Sequence, residues 1–231
     1  MLVQFASMTI EIRPKYRYTY ELCRGYEAQG DGTPDFVVQV TDEDIAREET
    51  PGGKHPLPYL ESLAIYRRIC REALKYGAFL FHGSALSLDG QAYLFTAPSG
   101  TGKSTHARLW REVFGEGVQM VNDDKPLIRV TEDGVYVCGT PWDGKHRLSC
   151  NCEVPLRAIC ILSRDSKNHI ESVSPKEAYA TLLGQTYRPK APLELMQTLS
   201  LLDKTLSSTA LYHLHCNMDP SAARVAYEAM K

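Results

Sequence analysis

Apolar residues recur every three or four positions in several segments of the chain, a spacing typical of amphipathic helices. The clearest such segment predicts a helix over residues 57–76, which Gly77 is placed to end. Its apolar stripe comprises Leu60, Leu63, Ala64, Cys70, Ala73 and Leu74. Arginines beside the stripe (Arg67, Arg68, Arg71) indicate a solvated face, with a partner-binding surface as the alternative. Periodicity and capping signals predict four more helices, over residues 103–114, 174–183, 195–206 and 220–230.

Runs of β-branched and aromatic residues lie between these helices and predict strands. The expected strands are residues 8–20, 36–40, 79–88, 91–96, 118–121, 127–130, 135–138, 154–162, 169–173 and 211–215. Two Asp-Gly dipeptides, at Asp89-Gly90 and Asp133-Gly134, are strong signals for two-residue hairpins. The strand at 91–96 should therefore have an antiparallel neighbour, and a Rossmann-like βαβ unit does not begin in this way.

Residues 1–56 differ in pattern from the rest of the chain. The strands at 8–20 and 36–40 are separated by the turn residues Gly30 to Pro34, and the charged stretch 41–50 followed by Pro51-Gly52-Gly53 predicts a loop. We expect a small β-rich N-terminal subdomain with an antiparallel sheet over residues 1–56, and a larger domain over residues 57–231.

The segment 97–105, with the sequence APSGTGKST, lies between a predicted strand and a predicted helix. Backbone N–H groups of such a loop converge on a polyphosphate, the lysine adds a positive charge, and the hydroxyl after it reaches a magnesium ion. Ala97 occupies the position of the usual first glycine, which is tolerable only if that position needs no positive φ. The segment predicts a nucleotide site formed by Ser99, Gly100, Thr101, Gly102, Lys103, Ser104 and Thr105.

Asn122-Asp123-Asp124 ends the strand predicted at 118–121, where a phosphate loop needs a metal-binding carboxylate. One carboxylate can lie near the ion, while the other accepts the proton of an attacking hydroxyl. The alternative is that these residues only begin a turn before Pro126. His82, on the strand expected to pair with residues 91–96, could meet phosphate or an aspartate, or be a structural histidine.

Composition narrows the possible partners. The chain has 231 residues and a net charge of −2, which argues against nucleic-acid binding through a wide basic surface. Its apolar runs are shorter than the 18 residues of a membrane span, and its start lacks the pattern of a secretory signal. We therefore expect a cytoplasmic protein that binds neither nucleic acid nor membrane.

Seven cysteines are scattered along the chain, largely in apolar stretches. In a cytosolic protein of this size, buried thiols are expected rather than a disulfide framework. His146, Cys150 and Cys152 are the cluster that could hold a metal, and His213 and His215 share one face of a predicted strand. For both sets, ordinary residues without a metal are the favoured interpretation.

His82-Gly83, the APSGTGKST loop and Asn122-Asp123-Asp124 occur in the same order and comparable spacing in the catalytic domain of HPr kinase/phosphorylase. Residues 77–162 resemble that domain, and in particular its shorter relatives, the HPr-kinase-related serine kinases. Those relatives also carry a Gly-Thr-Pro-Trp segment, here at residues 139–142. The resemblance implies an α/β fold of α+β character, related to phosphoenolpyruvate carboxykinase. Its P-loop kinase core would lie on a mixed, largely antiparallel sheet flanked by helices.

The same resemblance implies roles for five residues. Lys103 would contact the β- and γ-phosphates of ATP, and Ser104 and Asp124 would hold Mg²⁺. Asp123 would be the general base toward the acceptor hydroxyl, with His82 near it at the phosphate end. The implied activity is an ATP- and Mg²⁺-dependent kinase. Its acceptor would be a hydroxyl, most naturally serine of a peptide or small protein, with a small molecule also possible.

The family's substrate-facing stretch, which includes a further acidic metal contact, has no convincing counterpart here, and Asp143 is a weak candidate for that acid. This departure favours, as an alternative, a nucleotide-binding regulatory module without turnover. A carboxykinase-like enzyme acting on a small acid is a third hypothesis. The relatives' hexameric state makes a homo-oligomer possible. Acceptor specificity would lie in loops such as 140–151 and in the N-terminal sheet.

Overall fold

The computed structural model describes residues 1–30 and 32–231, so Asp31, in the turn predicted between Gly30 and Pro34, lies outside the described residues. The strands are β1 (Leu2–Phe5), β2 (Met8–Ile12), β3 (Phe36–Val38), β4 (Ala78–Leu80), β5 (Ser84–Leu88), β6 (Gln91–Thr96), β7 (Gln119–Asn122), β8 (Leu127–Val130), β9 (Val135–Cys138), β10 (Glu153–Arg164), β11 (His169–Ser172) and β12 (Ala210–Cys216). The helices are α1 (Arg17–Leu22), α2 (Asp42–Ala46), α3 (Leu57–Ala73), α4 (Lys103–Phe114), α5 (Pro175–Gln185), α6 (Pro192–Ser208) and α7 (Ser221–Met230).

The larger sheet has nine strands and is mixed, as predicted. Its main path is β4-β8-β9-β10-β6-β5-β7, and β12 and β11 extend it from the other side of β10. The long strand β10 connects two regions: it is antiparallel to β9 near its start and parallel to both β6 and β12 further along. The other pairs of this sheet, including the two predicted Asp-Gly hairpins, are antiparallel.

Helices cover both faces of this sheet. Along β6, Ala92 and Leu94 join a core with α5 and α6, whereas Tyr93 and Phe95 join a second core with α4 and α7. Because β6 is buried on both faces, its sequence is a continuous apolar run rather than an alternating one. This arrangement confirms the mixed α/β character expected from the sequence.

The N-terminal sheet differs from the prediction. β2 ends at Ile12, and the residues predicted to continue it form α1 instead. Pro14 follows Ile12 closely and has no N–H with which to extend a ladder. β2 pairs antiparallel with β1 but parallel with β3, so the prediction of an antiparallel sheet is wrong for the second pair. The segment between β2 and β3 is long enough, with α1 in it, to cross over the sheet.

Residues 41–50 are not the predicted loop, because they contain the short helix α2. The Thr41 side chain accepts a hydrogen bond from Asp44 N, and the Asp44 carboxylate accepts one from Thr41 N. This reciprocal capping box satisfies two donors of the first turn.

A buried carboxylate connects the N-terminal segment to α3. Glu61, on α3, is fully buried and accepts hydrogen bonds from the backbone N–H groups of Lys15 (2.6 Å) and Tyr16 (3.2 Å) and from Thr19 Oγ1 (3.4 Å). One hydrophobic core also joins residues of β1 and β2 to residues of α3. The N-terminal sheet is therefore held against the helix that leads into the larger sheet.

The predicted strand 79–88 is interrupted at residues 81–83. The first half of the predicted strand, β4, pairs with β8. Only the second half, β5, pairs with β6. The expectation that His82 lies on a strand paired with β6 is therefore wrong. At the break, a Cβ on Gly83 would lie 2.9 Å from Leu94 Cδ1 and 3.0 Å from Phe95 O. The backbone at Gly83 therefore lies so close to β6 that only glycine fits there.

His106, on α4, makes the stability of this fold dependent on pH. Burial lowers its pKa from 6.5 to about 3, and its Nε2 accepts a hydrogen bond from Trp110 Nε1 at 3.0 Å. The folded chain keeps this imidazole neutral, whereas the unfolded chain binds a proton as the pH falls below 6.5. The stabilising contribution is therefore complete above pH 6.5 and decreases as the pH falls toward 3, by up to about 1.4 kcal/mol per pH unit.

We predict that His106→Gln flattens the dependence of the unfolding free energy on pH between 6.5 and 5, because glutamine has no proton to gain there. Urea unfolding at several pH values measures this slope. The matched control is His146→Gln, at an exposed histidine that makes no hydrogen bond or ion pair with the described residues, which should keep the slope of the parent chain. An unchanged slope in His106→Gln would contradict the assignment.

Candidate functional site

The segment between β6 and α4 forms a loop with two glycines in the left-handed region. Gly100 has φ of 78° and Gly102 has φ of 128°, so both positions favour glycine. Ala97 is fully buried in the core under α4 and is not among the residues with positive φ. Position 97 therefore needs no positive φ, and alanine is tolerated there in place of the usual glycine.

Lys103, Ser104 and Thr105 are the first three residues of α4, and the N-cap of this helix is Gly102. Since glycine has no side chain to cap the helix, the N–H groups of its first turn remain suited to bind an anion. Lys103 Nζ donates to Ala97 O at 2.8 Å, which closes the loop. Burial lowers the pKa of Lys103, and the charges of Asp124 and Asp123 oppose that shift.

The sheet topology brings the loop and the aspartates together. β5 is antiparallel to both β6 and β7, so β6 and β7 run parallel with one strand between them. Their carboxyl ends lie at the same edge of the sheet, where the loop follows β6 and Asp123 and Asp124 follow β7. Ser104, Asp123 and Asp124 line one cavity of about 560 Å³.

The two aspartates have different partners. Asp123 is buried, and its Oδ1 accepts a hydrogen bond from Ser84 Oγ at 2.6 Å. A Cβ on Gly144 would lie 3.0 Å from Asp123 Oδ2, so the loop after Trp142 passes close to this carboxylate. Ser84 was not singled out by the sequence, although it directly follows the His82-Gly83 pair.

Asp124 is bracketed by two basic side chains. His82 Nε2 lies 3.3 Å from Asp124 Oδ1, and Lys125 Nζ pairs with Oδ2. Burial raises the pKa of Asp124, but the hydrogen bond from His82 and the charge of Lys125 outweigh it, and the net shift is downward. His82 Nδ1 is 2.8 Å from Gln185 Oε1. The structure thus brings His82 to Asp124, whereas the resemblance implied a position near Asp123.

A buried amide organises the turn that carries both carboxylates. Asn122 is fully buried, and its Oδ1 accepts hydrogen bonds from the N–H groups of Asp124 (2.9 Å) and Lys125 (2.7 Å). Its Nδ2 donates to Thr140 O (3.1 Å), and Trp142 O lies 3.3 Å away. An Asn at the end of a strand is a known turn signal, and that signal could have indicated this role.

The Gly-Thr-Pro-Trp segment supports the same turn from the other side. Trp142 stacks on Tyr66 of α3 with ring centroids 4.3 Å apart, and its Nε1 donates to Ser62 O at 2.9 Å. The Tyr66 hydroxyl donates to Lys125 O at 2.6 Å. The residues around the aspartates are therefore held by α3, a contact that no local sequence pattern indicated.

The rest of the cavity is lined by basic and aromatic side chains. Lys145, His146 and Arg147 come from the loop after Trp142, and Tyr18 and Tyr59 come from α1 and α3. Asp143 also lines the cavity, and its Oδ2 accepts a hydrogen bond from Ser149 N at 2.9 Å. Positive charge beside the aspartates suits a negatively charged ligand.

The outer side of the loop faces a different part of the sheet. Ser99, Gly100 and Thr101 line a shallow depression with the end of β10. Arg164, the last residue of β10, donates to Gly100 O and to Thr101 O (3.2 Å). No local sequence pattern predicted this contact, because the two segments meet through the parallel pairing of β6 and β10.

Cys150 and Cys152 are joined by a disulfide, so the expectation of free thiols is wrong for these two residues. The disulfide takes their sulfur atoms away from any metal site with His146. Four of the other cysteines, Cys23, Cys70, Cys138 and Cys160, are buried thiols as expected, and Cys216 is half-buried.

We predict that Asn122→Ala lowers the unfolding free energy by about 2–4 kcal/mol, since it leaves buried N–H and C=O groups without their partner. Chemical denaturation measures this change. The matched control is Asn151→Ala, which removes one exposed hydrogen bond to Gln4 O and should cost about 1 kcal/mol or less. Equal effects of the two substitutions would show that the Asn122 amide does not hold the turn.

No helix in the described residues is both long and apolar enough to span a membrane. No curated protein matches the chain. A solved structure, the Hpr(Ser) kinase/phosphatase from Coxiella burnetii, is similar over 55% of this chain and 91% of that chain, at 15% sequence identity and a TM-score of 0.28.

A family model described as "SynChlorMet cassette protein ScmC" matches residues 57–209. The matched part runs from the start of α3 to the residue before β12, and it includes the loop, the aspartates and the Gly-Thr-Pro-Trp segment. It covers about two thirds of the chain, and the chain therefore belongs to the ScmC family.

Proposed function

We propose that this protein is an ATP- and Mg²⁺-dependent kinase that transfers the γ-phosphoryl group to a hydroxyl, with serine of a peptide or small protein as the first candidate acceptor. The observation that supports it most is the single cavity that contains Ser104 of the loop helix together with Asp123 and Asp124. A cavity of this kind can bind a polyphosphate and an acceptor side by side, which is the main requirement of phosphoryl transfer.

The nucleotide would lie on the loop. Backbone N–H groups of residues 99–105, with the positive end of α4, would face the phosphates. Lys103 would exchange its hydrogen bond with Ala97 O for one with the β- and γ-phosphate oxygens. Because Lys103 is half-buried, its charge is less screened there than in open solvent.

The donor set fits a hard divalent cation. Ser104 and Asp124 would supply oxygen ligands, which Mg²⁺ prefers, and the pair of Asp124 with the Lys125 ammonium shows that this carboxylate can accept a cationic partner. When bound, Mg²⁺ would neutralise charge on the phosphates. His82 would keep Asp124 oriented through its contact with Oδ1.

Asp123 would act on the acceptor. Its Oδ2 faces the loop at Gly144, while Ser84 holds Oδ1. The acceptor hydroxyl would give its proton to Asp123 as its oxygen forms a bond to the γ-phosphorus. The bond from that phosphorus to the β–γ bridging oxygen breaks, and ADP leaves. The products are a phosphate monoester, ADP and the proton held by Asp123.

The acceptor would enter between the loop after Trp142 and the N-terminal elements. Tyr18 and Tyr59 line that side of the cavity, opposite Lys145 and Arg147. Basic side chains there suit an acceptor with acidic residues near its hydroxyl. We propose that acceptor selection depends on this wall and that catalysis depends on the loop and the aspartates.

A nucleotide-binding module without turnover is the second candidate. The observation that favours it is the hydrogen bond from Ser149 N to Asp143 Oδ2, because Asp143, the weak candidate for a further acidic metal contact, shapes its own loop instead. Such a module would bind ATP but would produce no phosphorylated product in any extract.

We predict that purified protein with Mg²⁺ and γ-labelled ATP transfers label to an acceptor in a cell extract, and that Asp123→Asn lowers the rate at least about 100-fold because the base is lost. Nucleotide affinity should remain, because Asp123 does not hold the phosphates. Intact mass would identify the labelled species. The matched variant Lys103→Met should instead weaken nucleotide binding. Labelling that survives Asp123→Asn would refute the role of the base.

We also predict that Gly144→Ala slows transfer about tenfold or more, because the added Cβ must push the Asp123 carboxylate by a few tenths of an ångström. ATP affinity and unfolding free energy should change little. Gly184→Ala is the matched control, since a Cβ there meets open space. Equal transfer rates for the two variants would count against precise placement of Asp123.

A further inference from the structure

A cluster of histidines and carboxylates lies on the outer strands of the sheet, away from the aspartate cavity. His213 and His215 are two residues apart on β12 and share one face. Glu171 and His169 are their direct cross-strand neighbours on β11, and Ser163 of β10 lies opposite His215 on the other side. Three neighbouring strands therefore contribute polar side chains to one small patch.

Ser163 orients both imidazole rings of β12. Its Oγ is 2.9 Å from Nδ1 of His215 and 3.0 Å from Nε2 of His213. A hydroxyl oxygen has two lone pairs and can accept an N–H from each ring. In that arrangement the second nitrogen of each ring, Nε2 of His215 and Nδ1 of His213, carries a free lone pair. Metal-binding histidines are commonly oriented in this way, by a hydrogen bond from the nitrogen that does not bind the ion.

The Glu171 carboxylate adds a negatively charged ligand beside these imidazole nitrogens. Its Oε1 is 3.5 Å from His215 Nε2, and in the described part of the chain it has no lysine or arginine partner. One ligand atom from each of Glu171, His213 and His215 lies within 4.8 Å of the others. Two ligands on opposite sides of a zinc ion are at most about 4.2 Å apart. Glu171 is exposed and the two histidines are half-buried, so rotation of the Glu171 side chain toward the rings would help to close the set.

A second set, Asp165, His169 and His215, meets the same distance criterion and shares His215. The rings of His169 and His215 are stacked with an interplanar angle of 2°. An ion lies in the plane of each imidazole that binds it, and two parallel planes do not meet. The rings of His213 and His215 are inclined at 31°, so they are not stacked flat, and a ring rotation can bring both planes onto one ion. Ring geometry therefore favours the set with Glu171 and His213.

We propose that Glu171, His213 and His215 bind a first-row divalent cation of the Zn²⁺ class, with Ser163 as the residue that positions both rings and water completing the coordination. Imidazole and carboxylate ligands suit Zn²⁺ and Co²⁺ better than Mg²⁺. The ion would connect β11 to β12 at the edge of the sheet, where β11 has β12 as its pairing strand. The proposed ligands do not line the aspartate cavity, and the argument for them does not depend on the proposed function.

The test is titration of the full chain with Zn²⁺ in the absence of nucleotide and Mg²⁺, followed by calorimetry, with Co²⁺ as a spectroscopic probe. We expect one ion per chain and visible Co²⁺ absorption from nitrogen and oxygen ligands. His213→Ala should abolish binding. Glu171→Gln, at an exposed side chain that should not affect folding, should weaken it at least about tenfold, and Ser163→Ala about 10- to 100-fold.

Asp165→Asn and His55→Ala are the matched controls and should leave the affinity unchanged. Failure of the parent chain to bind Zn²⁺ or Co²⁺ would overturn the proposal, as would binding that survives both His213→Ala and Glu171→Gln. Loss of binding in Asp165→Asn with retention in Glu171→Gln would overturn the ligand set. A thiolate-to-Co²⁺ charge-transfer band would assign the ion to a cysteine instead. Circular dichroism of each variant checks that it is folded.

Discussion

The hydrogen bonds of the Asn122 side chain are the interaction on which the candidate active site depends. One buried amide joins the end of β7, the turn that carries Asp123 and Asp124, and the backbone at Thr140. An amide in this position must keep all its partners, because each unpaired group would carry the full cost of its desolvation. The carboxylates next to it are therefore held in place by a network in which breaking any one hydrogen bond has a large cost in free energy.

The direction of the strands determines at which edge of the sheet the polar side chains of the candidate sites come together. β6, β10 and β12 run parallel, and β7 has the same direction across the intervening strand β5. The phosphate-binding candidate loop, Arg164 and the aspartates all follow carboxyl ends of these strands, and the histidine patch lies close to the ends of β10 and β12. Ligand sites in sheets with parallel strands commonly form at this edge, because loops that leave neighbouring strands meet there.

The two polar clusters differ in their donor atoms. Around Asp124, hard oxygen donors face a lysine ammonium, which suits a hydrated magnesium ion and phosphate. Around His215, imidazole nitrogens and one carboxylate face each other across a hydroxyl, which suits a softer cation. The two proposed ion sites would therefore differ in the chemistry of their donor atoms.

Local patterns in the sequence were sufficient for the elements that local forces specify. The strand–loop–helix order around APSGTGKST, the Asp133-Gly134 hairpin and the capping box at Ser174 all depend on residues close to one another in the chain, and each is found as predicted. Other features arise only when distant segments meet. The parallel pairing of β2 with β3, the contact of His82 with Asp124, and the approach of Ser84 to Asp123 are of this kind.

The histidine patch needs three strands in register, and β12 is separated from β11 by two helices. Sequence alone therefore identified the candidate phosphate loop, the aspartate pair and the two histidines of β12. Tertiary structure decided which side chains meet them, such as Ser84, Ser163 and Glu171, because strand order and burial depend on the whole core.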